Sequence, residues 1–269
     1  MSDKSAWDIE GIEQSESMKR IGRSPMLKDY LLMGNAGNWP VLPVLAVCLA
    51  VFAVQFVSGF QSLFDHSRSP DSAFAFTGNA MDEGRYYTLL TSMFMHASIL
   101  HIWSNMAAYL GTAPLVIARF GKGLRGLIPF HIFYLMCGLA GTLMFWLIHP
   151  HGSVPMVGAS GAIYGVVGAL MRLDVTEARL APVFSKTTLK AFWFLIYSNI
   201  VVILVFGGPS ILTQILEGKG QEVFVPIAWE AHMGGFVAGF VLIGLMAGRG
   251  WPGPWRAGMR VDPLDGVTA

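Results

Sequence analysis

Two short runs of small residues in strongly apolar surroundings hold the groups best suited to chemistry: Gly158-Ala159-Ser160-Gly161 and Ala231-His232-Met233-Gly234-Gly235. A serine hydroxyl is a weak nucleophile at neutral pH and needs a base; an imidazole can take its proton and then pass it to a leaving amine. Ser160 also opens a short apolar run that reads as a helix. At such an N-terminus the hydroxyl lies near unpaired backbone N–H groups and the positive end of the helix dipole, which favour the negative charge of an acyl-transfer intermediate. His101 and Asn105 are four residues apart, so a helix puts them on one face, where both can donate to an oxyanion. The one carboxylate near His232 is Glu230, which falls at the outer membrane boundary, so the residues favour a Ser160–His232 dyad over a triad with Glu230.

The elements that must position these groups are membrane spans. With 54% hydrophobic and 13% charged residues and a mean hydropathy of +0.53, the chain is too apolar for a soluble domain. A net charge of +1, with dispersed basic residues, gives no phosphate-binding face and argues against nucleic acid as a partner. Cys48 and Cys137 lie in separate apolar runs without CxxC spacing and read as small core residues. His66, His131, His149 and His151 read as interfacial or solvated, and no HExxH run is present; neither a metal nor another cofactor is expected.

Apolar runs predict six spans, at Val41–Leu63, Ile99–Ala118, Leu127–Ile148, Ser160–Met171, Ala191–Phe206 and His232–Gly248. The polar residues 1–38 are expected to be a cytoplasmic segment with no cleavable signal, 39–249 the helical domain, and the Pro- and Gly-rich 250–269 a cytoplasmic tail. Arg119, Lys122 and Arg125, then Arg172, Arg179, Lys186 and Lys190, then Arg249, Arg256 and Arg260 mark the cytoplasmic side; the opposite loops hold only Arg68, Arg85 and Lys219. Both termini are therefore expected in the cytoplasm.

Depth follows from counting. Ser160 is twelve residues from Arg172, roughly 18 Å above the cytoplasmic edge and ~12 Å below the outer one. Asn105, His101 and His232, counted from Arg119 and Arg249, lie at roughly 21, 27 and 26 Å. Four polar side chains on three spans thus share one layer. The run His149–Pro155 must descend to Ser160 as irregular backbone, which survives at that depth only against protein or a wet cavity.

These residues give the chain a resemblance to the rhomboid family of intramembrane serine proteases. It carries GxSG at Gly158–Gly161, AHxxGxxxG at Ala231–Gly239, and HxxxxHxxxN at His96, His101 and Asn105, over roughly residues 40–248. The resemblance implies an all-α membrane protein, a six-helix bundle with a short central fourth helix. It implies an endopeptidase acting on transmembrane protein substrates in a membrane, by expectation a bacterial inner (plasma) membrane, with no obligate protein partner. It assigns Ser160 as nucleophile, His232 as base, and His101, Asn105 and the Ser160 N–H as oxyanion donors. Tyr164 would pack on His232, and His96 and Arg85 would support loop one, the stretch from Asp65 to about Ser98, although Gly84 stands where the family often has Trp. Gly158, Gly161, Gly235 and Gly239 serve both motif and helix packing, since small-xxx-small spacing is common in bundles. A non-catalytic relative that holds client helices typically lacks the serine or histidine that this chain has at Ser160 and His232; a transporter would more often show internal repeats and paired broken helices.

Overall fold

The computed structural model describes residues 39–57, 73–120, 124–174, 179–208, 212, 216 and 227–247. A 3-10 turn, Trp39–Val41, leads into α1 (Leu42–Val57). Two one-turn helices follow, α2 (Asn79–Asp82) and α3 (Thr88–Thr91), then the long α4 (Ile99–Phe120) and α5 (Leu124–Ile148). The short α6 (Ser160–Arg172), α7 (Lys186–Val202) and α8 (Trp229–Met246) complete the helices that build the site. A helix occupies each of the six apolar runs, with ends displaced by a few residues, while 58–63 and Gly248 lie outside the described residues, as do the expected terminal segments 1–38 and 250–269 and His66. One departure from an all-α chain is a two-residue antiparallel pair between α6 and α7, β1 (Leu173–Asp174) with β2 (Arg179–Leu180).

Among the described residues three helices are long and apolar enough to cross a membrane, over Gly126–Ile148, Lys186–Gly207 and Trp229–Met246; Leu42–Phe56 is apolar but shorter. α4 has the length, at 22 residues, but carries His101, Ser104, Asn105 and Thr112. α6 has 13 residues, roughly 20 Å at the helical rise, and is short of a ~30 Å hydrocarbon core. Large apolar side chains such as Trp103, Trp193, Val237 and Leu245 remain exposed on the outside of the bundle.

α6 is central, packing against α4, α5, α7 and α8. It can be central because five of its seven buried residues are Gly or Ala: Gly161, Ala162, Gly165, Gly168 and Ala169 are buried, with Ile163 and Val166 the larger two. A Cβ on Gly165 would run into Cys137 of α5, one on Gly168 into the Phe236 carbonyl, and one on Gly239 into the backbone of Gly165. Backbones that approach this closely leave room for nothing larger. At the other end of the same contact, Arg172 Nη1 donates to the Phe240 carbonyl at 2.8 Å and Nε to the Ala181 carbonyl at 3.2 Å, with the guanidinium 5.3 Å from the Phe240 ring centre. That side chain satisfies carbonyls of α8 and ties α6 to the strand pair's end.

Loop one is folded onto the segment that descends to Ser160. Phe76 and Met156 exchange two backbone hydrogen bonds, at 3.1 and 2.7 Å, and Asn79 N–H donates to the Gly152 carbonyl. Gly84 closes α2 with a φ of +73°, a conformation that costs glycine little and other residues more. That is a physical reason for glycine, rather than a bulky aromatic, ahead of Arg85. Arg85 itself donates through Nε to Glu83 at 2.6 Å, and its carbonyl accepts from the Thr88 hydroxyl.

Candidate active site

The irregular run 149–159 turns at its penultimate residue, Gly158, whose φ is +125° and whose N–H donates to the Ser92 carbonyl at 2.9 Å. A side chain there would be strained, and its Cβ would also lie 2.8 Å from His101 Nε2. Gly158 thus turns the chain into α6 and leaves the space that the His101 ring occupies. Ser160 follows as the first residue of α6, with Ala159 as cap and the helix's first N–H groups beside it.

His232 enters from α8, one turn after the helix starts, and is buried. Its Nε2 lies 2.8 Å from Ser160 Oγ and its Nδ1 2.8 Å from Asn199 Oδ1 of α7. Tyr164 stacks on the imidazole with ring centres 4.2 Å apart and planes 10° from parallel. Ser160, Tyr164 and His232 therefore meet in one place, as does Asn199, which the sequence reading passes over. A lone Asn in an apolar run carries no motif, but it had a signal. Asn199 is nine residues after Lys190, roughly 14 Å above the edge that Lys190 marks, within a turn of the depth counted for Ser160 from Arg172.

The bond directions can be worked out. Asn199 Nδ2 donates to the Leu195 carbonyl at 2.9 Å, so its Oδ1 faces His232. A carbonyl oxygen only accepts, so His232 Nδ1 must carry the proton and Nε2 must be the acceptor. The Ser160 hydroxyl then donates to Nε2.

His101 and Asn105 line the same cavity as Ser160 and His232, a space of about 450 Å³ that reaches the loop residues Ala97, Met156 and Ile227. His101 Nδ1 accepts from the Ala97 N–H at 3.3 Å, which leaves Nε2–H as the donor on the Gly158 side. Asn105 Nδ2 donates one hydrogen to the His101 carbonyl at 2.9 Å and keeps the second. His96 does not line the cavity; it is fully buried behind it, its ring edge-on to that of His101 at 5.2 Å, and its backbone N–H donates to Gln55 Oε1 of α1 at 3.3 Å. Arg85 is also absent from the lining and belongs to loop one. Gly161, Gly235 and Gly239 sit in the α6–α8 contact, where a Cβ on Gly235 would strike the Gly161 carbonyl.

Glu230, the carboxylate weighed as a partner for His232, is turned elsewhere. Its Oε1 lies 2.8 Å from His149 Nε2, joining the start of α8 to the end of α5. His151 pairs with Asp82 of α2 at 3.0 Å, and His131 Nδ1 lies 2.6 Å from the Leu127 carbonyl. Among the described residues no group of three or more His, Cys, Asp or Glu is placed to hold a metal.

Comparison with known proteins identifies a family. The Rhomboid domain matches residues 83–249, well over half of the chain. Rhomboid protease GluP of Bacillus subtilis (strain 168) is 27% identical over 159 residues, 59% of this chain and 25% of the relative. RHOMBOID-like protein 5 of Arabidopsis thaliana is 28% identical over 162 residues, 60% of this chain and 44% of the relative. Inactive rhomboid protein 1 of Drosophila melanogaster is 40% identical over 89 residues, 33% of this chain and 6% of the relative. The chain thus spans less than half the length of each. Its helical bundle, its apolar spans and the extent of the domain match lead to one conclusion: this is a multi-pass membrane protein that belongs to the rhomboid family.

Proposed function

We propose that this chain is an intramembrane serine endopeptidase that cuts transmembrane proteins in or near their spans through a Ser160–His232 dyad. The observation that carries the reading is the 2.8 Å hydrogen bond from the Ser160 hydroxyl to His232 Nε2 inside a cavity. Ser160 Oγ attacks the scissile carbonyl as its proton passes to Nε2. The tetrahedral oxyanion receives hydrogen bonds from the Ser160 N–H, His101 Nε2–H and the second Asn105 N–H. The imidazolium then protonates the leaving amine, giving an ester on Ser160 that water hydrolyses by the same route.

The rest of the reading follows from that site. α1 and α4 to α8 cross or enter the bilayer, with 39–249 as the catalytic domain and both termini in the cytoplasm, as the Lys and Arg distribution favours. Residues 1–38 and 250–269 flank it as cytoplasmic segments. The cavity's loop end then faces the extracytoplasmic side. A substrate helix must unwind locally to present a carbonyl there, because its peptide groups are otherwise engaged in their own ladder.

The similarity to a relative named inactive supports a competing reading, a non-catalytic member that only holds client helices. A fluorophosphonate probe separates the two. Wild-type protein in detergent should be labelled, and Ser160→Ala and His232→Ala should not be, while each keeps its fold by circular dichroism. Absence of labelling and of cleavage in the wild type would refute the protease reading.

A further inference from the structure

We propose that Asn199 is a positioning residue that extends the dyad to a Ser160–His232–Asn199 hydrogen-bonded chain, fixing the tautomer and in-plane rotation of His232 through a neutral acceptor. The kinetic part of this inference rests on the protease reading above; the tautomer does not.

The two contacts on His232 constrain different motions. Stacking on Tyr164 holds the plane of the ring, but a ring turned over in that plane stacks equally well and presents a C–H to Ser160. The bond to Asn199 removes that freedom, since only one orientation places Nδ1 at 2.8 Å from Oδ1 and Nε2 at 2.8 Å from Ser160 Oγ. Asn199 is itself held. It is buried, and its Nδ2 is bonded to the Leu195 carbonyl one turn back on α7. Reversing the amide would set two acceptors against each other at 2.9 Å, so the orientation of Oδ1 follows from the network.

The choice of an amide fits the setting. A carboxylate would accept the same proton, but at this depth it would bring a second buried charge with a large desolvation cost. An amide oxygen turns a dipole toward the imidazolium as it forms and needs no charge of its own. During the first step the proton leaves Ser160 Oγ and joins Nε2 while the new C–O bond forms. The Nδ1 proton stays on His232, and Asn199 neither gains nor loses one.

The test uses Asn199→Leu, similar in shape and without an acceptor, and Asn199→Asp. In its neutral form an aspartic acid donates to the Leu195 carbonyl and accepts from His232, reproducing both bonds. Rates are measured on a model transmembrane substrate. The tautomer is read by nitrogen NMR of 15N-histidine-labelled protein, using the resonances that His232→Gln removes. Wild type should carry its proton on Nδ1. Asn199→Leu should shift it toward Nε2 and lower kcat by between ~10²- and ~10⁴-fold, spanning a ~1 Å misplacement and a wrong tautomer, with KM little changed. Asn199→Asp should recover most of kcat and the Nδ1 proton. A wild-type His232 protonated on Nε2 would overturn the proposal even if every variant failed to fold. So would an Asn199→Leu enzyme that keeps kcat within about twofold, loses only substrate affinity, or keeps its tautomer. An unlabelled, inactive wild type would instead refute the protease reading, and the tautomer would still report on Asn199.

Discussion

Gly239 offers the most direct link between packing and chemistry. It lies seven residues beyond His232, about two turns along α8, against Gly165, which is five beyond Ser160 on α6. A methyl group on Gly239 would sit 2.6 Å from Gly165 Cα and still closer to the Gly165 carbonyl. Carbon atoms pack at ~3.5–4.0 Å, so the helices must part by about 1 Å. Ser160 and His232 are 2.8 Å apart across the same pair of helices, and an added ångström takes that contact beyond hydrogen-bonding range. Gly239→Ala should therefore lower kcat by ~10²-fold, and overpacking of this kind costs about 1–3 kcal/mol of stability. Gly111, in α4 and with open space around it, is the control. There Ala should raise stability by up to ~1 kcal/mol, since glycine inside a helix is the poorer former. The assay is cleavage of one transmembrane substrate by both variants alongside their thermal unfolding in the same detergent. If Gly239→Ala cleaves as fast as Gly111→Ala, the claim that backbone contact sets the Ser160–His232 distance is wrong.

Three further outcomes are expected. His101→Ala and Asn105→Ala should each lower kcat by something like the ~10²-fold typical of one oxyanion donor, with KM nearly unchanged, since the remaining donors stay; a loss confined to KM would contradict the role. Burial, with His101 beside it as a second cause, pushes the His96 imidazole down to about 3, so it folds in its neutral form. The unfolded side chain takes its proton near pH 6.5; stability is thus complete above that pH and falls as the pH drops from 6.5 toward 3, by roughly 2 kcal/mol at pH 5 from this group. Thermal unfolding of wild type and His96→Leu across that range checks it, and equal slopes would show that His96 does not control acid sensitivity. A Gly-Pro pair moved stepwise along a model substrate span should give fastest cleavage near the extracytoplasmic end, read by mass spectrometry of the products; fastest cleavage near the cytoplasmic end would reverse the proposed orientation.

What could be read from the sequence was what repeats or breaks a pattern. The helices announce themselves by apolar length, and Ser160, His101, Asn105 and His232 by being polar where hydrocarbon is expected. The short α6 follows from a count between Arg172 and Ser160. The strand pair at Leu173–Leu180 did not show, because two residues per strand give no alternation to detect. The partner of Glu230 was also hidden. His149 is 81 residues away, and only the packing of α5 on α8 brings the two side chains together. Asn199 shared the right depth, but its direction around α7 depends on how that helix is rotated. The apolar residues of α7 lie on all sides and give no preferred face.

The glycine-lined contact between α6 and α8 has a consequence for how the protein responds to heat. Where side chains mesh, a rotamer change can absorb a small displacement; where one backbone rests on another, there is nothing to rotate. Gly161, Gly165 and Gly168 face Ala231, Gly235, Phe236 and Gly239 in this way, and Arg172 pins the far end to the Phe240 carbonyl. The two helices should then hold their spacing almost unchanged on warming and separate only as a unit. Turnover would rise smoothly with temperature and stop abruptly, at the point where the pair parts, rather than decline through a series of partly loosened states.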